Sequence, residues 1–315
     1  SSNIKFEYFH GTLKSSVIDS LNIDFYNSVG ARNPNLNRFI AGHRIDFKAL
    51  PNLTIGCNEM VVYGVRDMDM MYTIPFIPFW SLQHYLGDLD NIQLTFDFDW
   101  KINQKFNLYG AFLIDEWNPS LTFDKDERNW FAYQVGSRAK NLFINNDYII
   151  IEYTWTDHRI YRHRFEINNY YNHEHPIGFW AGPHAEELFL NYSFEKFDFL
   201  FDLKYSNSKR GELTEDMIEN QYNNENSDFK RYSNIYESIS LLEITINKPI
   251  YKSLNIHLGF NLIDWKNGNF NPYSLSQNNL KNVNKNSYYL GLSYNFDIHK
   301  QKSFINKESI QLKYD

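Results

Sequence analysis

From Asn91 to Lys101 the character of the side chain reverses at every residue. Asn91, Gln93, Thr95, Asp97, Asp99 and Lys101 are polar, and Ile92, Leu94, Phe96, Phe98 and Trp100 between them are apolar. A strand sends successive side chains to opposite faces, so this segment has one apolar and one polar face. Its eleven residues exceed the common soluble strand and match a tilted crossing of a bilayer's hydrocarbon layer. The pattern recurs along the chain. It predicts an all-β fold, a transmembrane antiparallel β-barrel.

Composition agrees with that fold. The 315 residues include 26 Phe, 23 Tyr and 7 Trp, more than a soluble core needs, whereas a barrel uses them as girdles at both interfaces. The mean hydropathy of -0.55, with no run of about eighteen apolar residues, excludes a helical membrane protein. A net charge of -7, with Lys and Arg scattered, gives no footprint for nucleic acid. The single cysteine, Cys57, excludes an internal disulfide and a four-cysteine zinc site. The chain opens at Ser1 without a methionine and reads as mature or trimmed, so a missing signal peptide carries no weight.

Alternation predicts strands at 4–13, 38–49, 53–64, 91–102, 106–117, 129–141, 147–157, 186–194, 197–206, 236–247, 253–264, 286–298 and 306–314. Phe96, Phe98, Trp100, Phe199, Phe201, Leu292 and Tyr294 are expected to face lipid, and Arg44, Asp46, Asp97, Asp99 and Lys204 the interior. Glu59 breaks the pattern by falling in register with Ile55, Val61 and Tyr63, which implies a lumen-facing side there or a bulge. Tight turns at Pro51–Asn52, Asn103–Lys105, Phe143–Asn146 and Glu195–Lys196 alternate with long segments at 14–37, 65–90, 118–128, 158–185, 207–235 and 265–285. Short on one side and long on the other is how bacterial barrels arrange periplasmic turns and extracellular loops. Thirteen strands is an odd number, so the chain is expected to be a single barrel domain over 1–315 that lacks part of the barrel at one or both ends. A soluble β-sandwich is the alternative, and it fits the strand lengths and the short–long ordering poorly.

Several ordered motifs then give the chain a family likeness. They are Tyr8-Phe9-His10-Gly11, Gly42-His43-Arg44, Asn58-Glu59, Pro75-Phe76-Ile77-Pro78-Phe79 and Gly87-Asp88-Leu89-Asp90-Asn91. Tyr109-Gly110, Leu113-Ile114-Asp115, Trp130, Pro176-Ile177-Gly178 and Gly182-Pro183-His184-Ala185-Glu186-Glu187-Leu188 follow. Over roughly residues 6–190 the set resembles the capsule assembly Wzi family of Gram-negative outer membranes. The resemblance implies a monomeric barrel of roughly eighteen strands, plugged by its own loops, that helps hold capsular polysaccharide at the cell surface. The family's periplasmic helical bundle has no counterpart in these residues. His43, Arg44, Glu59, Asp88, Asn91, Asp115, Gly178, Gly182 and Pro183 are the positions that carry the family pattern most directly.

Polysaccharide binding also has a case in the residues themselves. Sugars offer hydroxyls to planar side chains and C–H faces to rings, and acidic polymers add carboxylates that favour arginine. Segment 158–185 supplies Arg159, Tyr161, Arg162, His163, Arg164, Tyr170, Tyr171 and Trp180. The plainer reading makes those rings part of the interfacial girdle and gives the cations to lipopolysaccharide phosphates. Asn91, Asp115 and Trp117 form a second candidate site. Glycoside hydrolysis needs two carboxylates about 5–10 Å apart, and Asp115, Glu116, Asp157 and Asp264 read more simply as lumenal charges balanced by Arg44, Lys48, Arg138 and Lys140.

His173-Glu174-His175 lacks a third metal ligand by spacing, and neither His43 nor His257 has a serine two residues away. No cofactor or metal is expected. Segments 65–90 and 158–185 are expected to fold inward and close the pore, with deletion of 72–86 opening it. The favoured expectation is a non-enzymatic surface binder of capsular or extracellular polysaccharide; a passive porin-like channel or exporter and a glycan- or lipid-modifying enzyme are the rivals.

Overall fold

The computed structural model describes residues 3–30, 34–124, 127–173, 175–214, 217, 229–251, 254–272 and 277–294. Its first seven strands are β1 (Ile4–Leu13), β2 (Arg38–Leu50), β3 (Leu53–Gly64), β4 (Asn91–Lys101), β5 (Phe106–Glu116), β6 (Trp130–Lys140) and β7 (Asp147–Thr156). A two-stranded hairpin of its own follows, β8 (Tyr171–Asn172) with β9 (His175–Pro176). The sheet resumes with β10 (Ala185–Lys196), β11 (Phe199–Gly211), β12 (Tyr236–Tyr251), β13 (Leu254–Gly268) and β14 (Lys281–Tyr294). The twelve long strands form one sheet in which each pairs with its neighbour in sequence, antiparallel throughout. Two short helices, α1 (Ile23–Ser28) and α2 (Phe79–Tyr85), lie in the long connections.

The first seven strands agree with the sequence expectation to within one residue at each end. Later strands run longer, and the expected strand at 306–314 lies outside the described residues. The tight turn expected at Glu195–Lys196 sits instead at Phe197 and Asp198, with φ of 54° and 62°. Two consecutive left-handed residues make the two-residue hairpin turn whose twist matches its strands. Nothing like Asn-Gly marks it, so the sequence placed it two residues early.

Register separates the two faces cleanly. On one, Arg44 of β2 reaches across β3 to Asp97 of β4 through two bonds of 2.6 and 2.8 Å, and also holds Asp46 at 2.6 Å. Gly56 of β3 makes room for this pair, since a Cβ there would stand 2.2 Å from an Arg44 guanidinium nitrogen. Arg138 with Asp99, and Lys204 with Asp202 and Glu243, continue the polar ladder. The opposite face carries Ile45, Phe47, Ile55, Phe96, Phe112, Tyr133, Ile151 and Leu258, all exposed. The residues expected to face lipid and interior fall on these two faces as anticipated.

The polar face is concave. Segment 157–184 lies against it, packing Ile160, Tyr161 and Tyr170 on Ile40, Val62, Trp130 and Ala132. Arg38 at the outer end of β2 donates 2.9 Å to the Tyr171 carbonyl, while the cavity beside the same segment is also walled by Arg210 of β11. Strands so far apart in the sheet order meet one segment only if the sheet curls around it.

Segment 65–90 does the opposite of what was expected of it. It packs Tyr72, Phe79 and Leu82 on Phe39, Ala41, Val61, Tyr63 and Ile92, all on the apolar outer face. It is an outer strap rather than a plug, so deleting 72–86 would uncover the barrel wall and leave the lumen as it was. Glu59 is explained by it. The β2–β3 register is regular from Gly64 to Thr54, so no bulge rescues Glu59, and its side chain does project from the apolar face. There its carboxylate accepts 2.8 and 2.6 Å bonds from the Phe79 and Trp80 amides at the start of α2, with His43 Nε2 at 2.8 Å. His43 stacks on Phe79 at 4.3 Å. The strap thus roofs a polar pair that would otherwise face hydrocarbon.

Neighbouring residues of β4 test the two faces. Phe96→Arg puts a charge on the apolar face near mid-strand and should cost about 2–4 kcal/mol of stability in a bilayer, whereas Thr95→Arg on the polar face should cost less than about 1 kcal/mol. Denaturant titration of the folded protein in lipid vesicles reads both, and equal costs would remove the face assignment.

Candidate functional site

At the outer end of the interior, segment 157–184 and the ends of the strands enclose a cavity of about 720 Å³, within the usual range of ligand sites. Its walls include Arg38, Arg162, Glu166, Tyr171, Trp180 and Arg210. Arg38 is held by the carbonyls of Lys14, Asn169 and Tyr171. Arg210 pairs with Glu237 at 2.9 Å and lies against the Phe270 ring. The buried Nε atoms of Arg38 and Arg210 have no acceptor among the described residues. Trp180 is half exposed and donates 2.9 Å from its indole nitrogen to Glu187.

A second void of about 420 Å³ lies deeper in the interior, bounded by Thr95, Gln134, Glu152, Thr154 and Glu187. Trp180 lines this void as well as the outer one.

The segment is fixed by buried polar contacts. Asp115 accepts 2.6 Å from the Tyr161 amide and 2.8 Å from Gln93. Asn91 donates 3.0 Å to the Asn168 carbonyl, and the Tyr170 hydroxyl reaches the carbonyls of Met60 and Asn91 at 2.6 and 3.2 Å. Tyr161 adopts φ 65° and turns its hydroxyl to accept from the Phe179 amide at 3.0 Å. Gly178 lies against that ring with φ 152°, where a Cβ would come within 2.5 Å of the hydroxyl. Gly182, at φ 76°, lets the chain turn back before Pro183 and β10.

Of the residues singled out from sequence, the structure gathers Arg162, Tyr171, Trp180, Gly182 and Pro183 around the outer cavity. It does not gather the others there. Tyr161, Asn91 and Asp115 are the anchors beneath. Arg159 is turned to Asp157, 2.9 Å away, in a separate cleft with Trp155, His158, Phe229 and Arg231. Arg164 stands on the exposed side and donates to the Asp88 carbonyl. Asp88 itself adopts φ 58° and accepts from Gln83. Trp117 is exposed and bonds Thr122 at 3.0 Å in the neighbouring loop. Arg44 belongs to the interior ladder, and His43 and Glu59 to the strap. Sequence reasoning overlooked Arg38, Arg210 and Glu166. The signal was present for two of them: Arg38 shares parity with Arg44, and Arg210 with Lys204, so both had to point inward.

In the separate cleft, His158 stacks on Phe229 at 3.9 Å and His184 on Tyr232 at 5.0 Å. Burial pushes both imidazoles down from 6.5 to about 4. Burial works to raise Asp157, but bonds from Arg159 and the charges nearby outweigh it and hold its carboxyl below the usual range.

A model of the capsule assembly protein Wzi family matches residues 3–280. The fold is similar to that of Wzi from Escherichia coli, an outer-membrane protein involved in group 1 capsule assembly and described as a carbohydrate-binding β-barrel. The TM-score is 0.53 and the identity 15%, over 93% of this chain and 56% of that one, so the chain spans little more than half the length of that structure. The NanC porin aligns with a TM-score of 0.30 and 9% identity over 82% of this chain and 94% of that one, too remote to argue from. Among curated proteins nothing matches.

Two measurements check this geometry. Asp115→Ala strands the Tyr161 amide and the Gln93 side chain, at about 1–3 kcal/mol, and should raise hydrogen exchange across 158–171 while the strands stay protected. The second is a pH response. His158 and His184 titrate lower when packed than when released, so the released form binds more protons and packing is at full strength above about pH 6.5. It should weaken as pH falls from about 6.5 toward 4, seen as faster exchange at Phe229–Tyr232 after correction for the intrinsic rate. Replacing both histidines with Asn should abolish that dependence.

Proposed function

The chain belongs to the capsule assembly protein Wzi family, and we propose that it is an outer-membrane, lectin-like barrel of a Gram-negative bacterium. It holds capsular or extracellular polysaccharide at the cell surface without chemically changing it. The observation that carries this reading is the outer cavity, where Arg38, Arg162 and Arg210 stand with the flat faces of Tyr171 and Trp180. Guanidinium groups pair with sugar carboxylates and hydroxyls, and rings stack on the C–H faces of pyranoses. An acidic polymer fits such walls best.

Glu166 is the one carboxylate lining this cavity among the described residues, whereas glycoside hydrolysis works with a pair. That supports binding over cleavage. The channel alternative is weakened by the segment lying across the interior, bound to β2, β4 and β5 by hydrogen bonds that are buried or half-buried.

Arg162→Ala with Trp180→Ala should lower affinity for an acidic polysaccharide at least about tenfold, since each lost charge-assisted bond is worth about 1.5–3 kcal/mol. Cells carrying the pair should shed polymer into the medium. Arg164→Ala, outside the cavity, should retain it. Added salt should weaken the arginine contribution and leave the stacking share, as exposed charges are screened beyond about 10 Å at 0.1 M. Heat-modifiable gel migration reports folding of each variant. Full retention by the folded double variant would remove the cavity from the mechanism.

A further inference from the structure

We propose that the middle of the strap lies in the hydrocarbon layer of the outer membrane, with Phe76 and Trp80 in contact with lipid acyl chains. The argument starts from depth. Phe76 stacks on Phe6 at 4.8 Å, and Phe6 pairs with Ile45. Ile45 is the eighth of the thirteen residues of β2 counted from the outer end. A bilayer crossing uses about 9–11 residues of a tilted strand, so roughly four of thirteen at most lie outside the hydrocarbon. However the strand is slid along the membrane normal, its eighth residue remains within the layer.

Phe76 therefore sits at hydrocarbon depth, and it lies on the lipid-facing side of the sheet, 77% exposed. Trp80 is 56% exposed and Met70 66% on the same strap. Their surroundings continue the apolar belt of Ile45, Phe47, Ile55 and Phe96, so the same solvent that wets the belt meets the strap. Water is not on hand there. The polar groups around these rings are turned away from it: the Phe79 and Trp80 amides point to Glu59, the Tyr72 hydroxyl to Asp90 at 2.7 Å, and Arg66 to Asp90 through bonds of 2.8 and 2.7 Å, while the exposed Asp67, Ser81, His84 and Asp88 belong to the ends of the strap and the far side of α2. A stretch that turns these hydrogen-bonding groups against the barrel and Phe76 and Trp80 outward is built for an apolar solvent.

The test places a spin label at Phe76→Cys in a Cys57→Ser background, with the protein folded into vesicles of phosphatidylethanolamine and phosphatidylglycerol. Phe96→Cys serves as the lipid-facing reference and Asp24→Cys, an exposed charged position of α1, as the water-facing one. The label at 76 should collide with oxygen in preference to a water-soluble nickel chelate, as at 96, and the preference should reverse at 24. Trp80→Cys, in the same background, should show the same sign at shallower depth and stands in should the first variant fail the heat-modifiability control. Access of the nickel chelate to 76 or 80 would overturn the proposal. So would exclusion of both reagents, which would mean that protein, such as a second copy of the chain, covers the strap. The inference rests on the barrel reading, and the reference separates the two: loss of the oxygen preference at 96 would undo the barrel reading, whereas its loss at 76 alone would undo only the strap.

Discussion

In hydrocarbon no water is on hand for an unpaired backbone N–H or C=O, so a crossing sheet must keep its ladder continuous and its side-chain parity constant. The twelve-stranded antiparallel ladder does both through the middle of its strands, and the register shifts among the described residues fall near strand ends, at Lys48–Leu50, Ile114–Glu116, Pro249–Tyr251 and Trp265–Gly268. A slip of one residue in β4 would send Asp97 and Asp99 into lipid and Phe96 and Phe98 into the interior. What pins the register is visible on the polar face, where an arginine on β2 and an aspartate on β4 meet over a glycine on the strand between them. Aromatic rings do the same elsewhere: a Cβ on Gly136 would meet the Tyr109 ring at 2.3 Å, so that ring lies flat on the neighbouring strand.

Where the pattern is broken, structure is built around the break. Glu59 and His43 are polar on the face that should be apolar, and the chain covers them with its own strap. The interior shows the mirror case. Ile40, Met60, Val62 and Leu113 are apolar on the face that should be polar, and segment 157–184 lies on them. In both places the exception to alternation marks where a connecting segment docks.

That rule also accounts for what could be read from the chain alone. Strand limits and faces were legible because period two is a local property carried by each residue in turn. The direction taken by a long connection was not, since 65–90 and 158–185 are both long and aromatic. Only the parity of the residues they cover tells them apart, and Glu59 was the clue. The binding cavity was half legible. Tyr171, Trp180 and Arg162 stand out as rings and cations within one short span, whereas Arg38 and Arg210 look like ordinary strand ends and meet only when the sheet curls. Arg159 misled because its carboxylate partner, Asp157, is two residues away and claims it locally.

Trp180 stands between the outer cavity and the deeper void, since it lines both. Its nitrogen is bonded to Glu187, whose side chain helps line the void beneath. A ligand that stacks on the outer side of this ring and turns it would break that bond and leave Glu187 held by the Ser206 hydroxyl alone, 2.6 Å away. The two chambers of the interior thus share one ring, and the carboxylate that holds it belongs to the inner one.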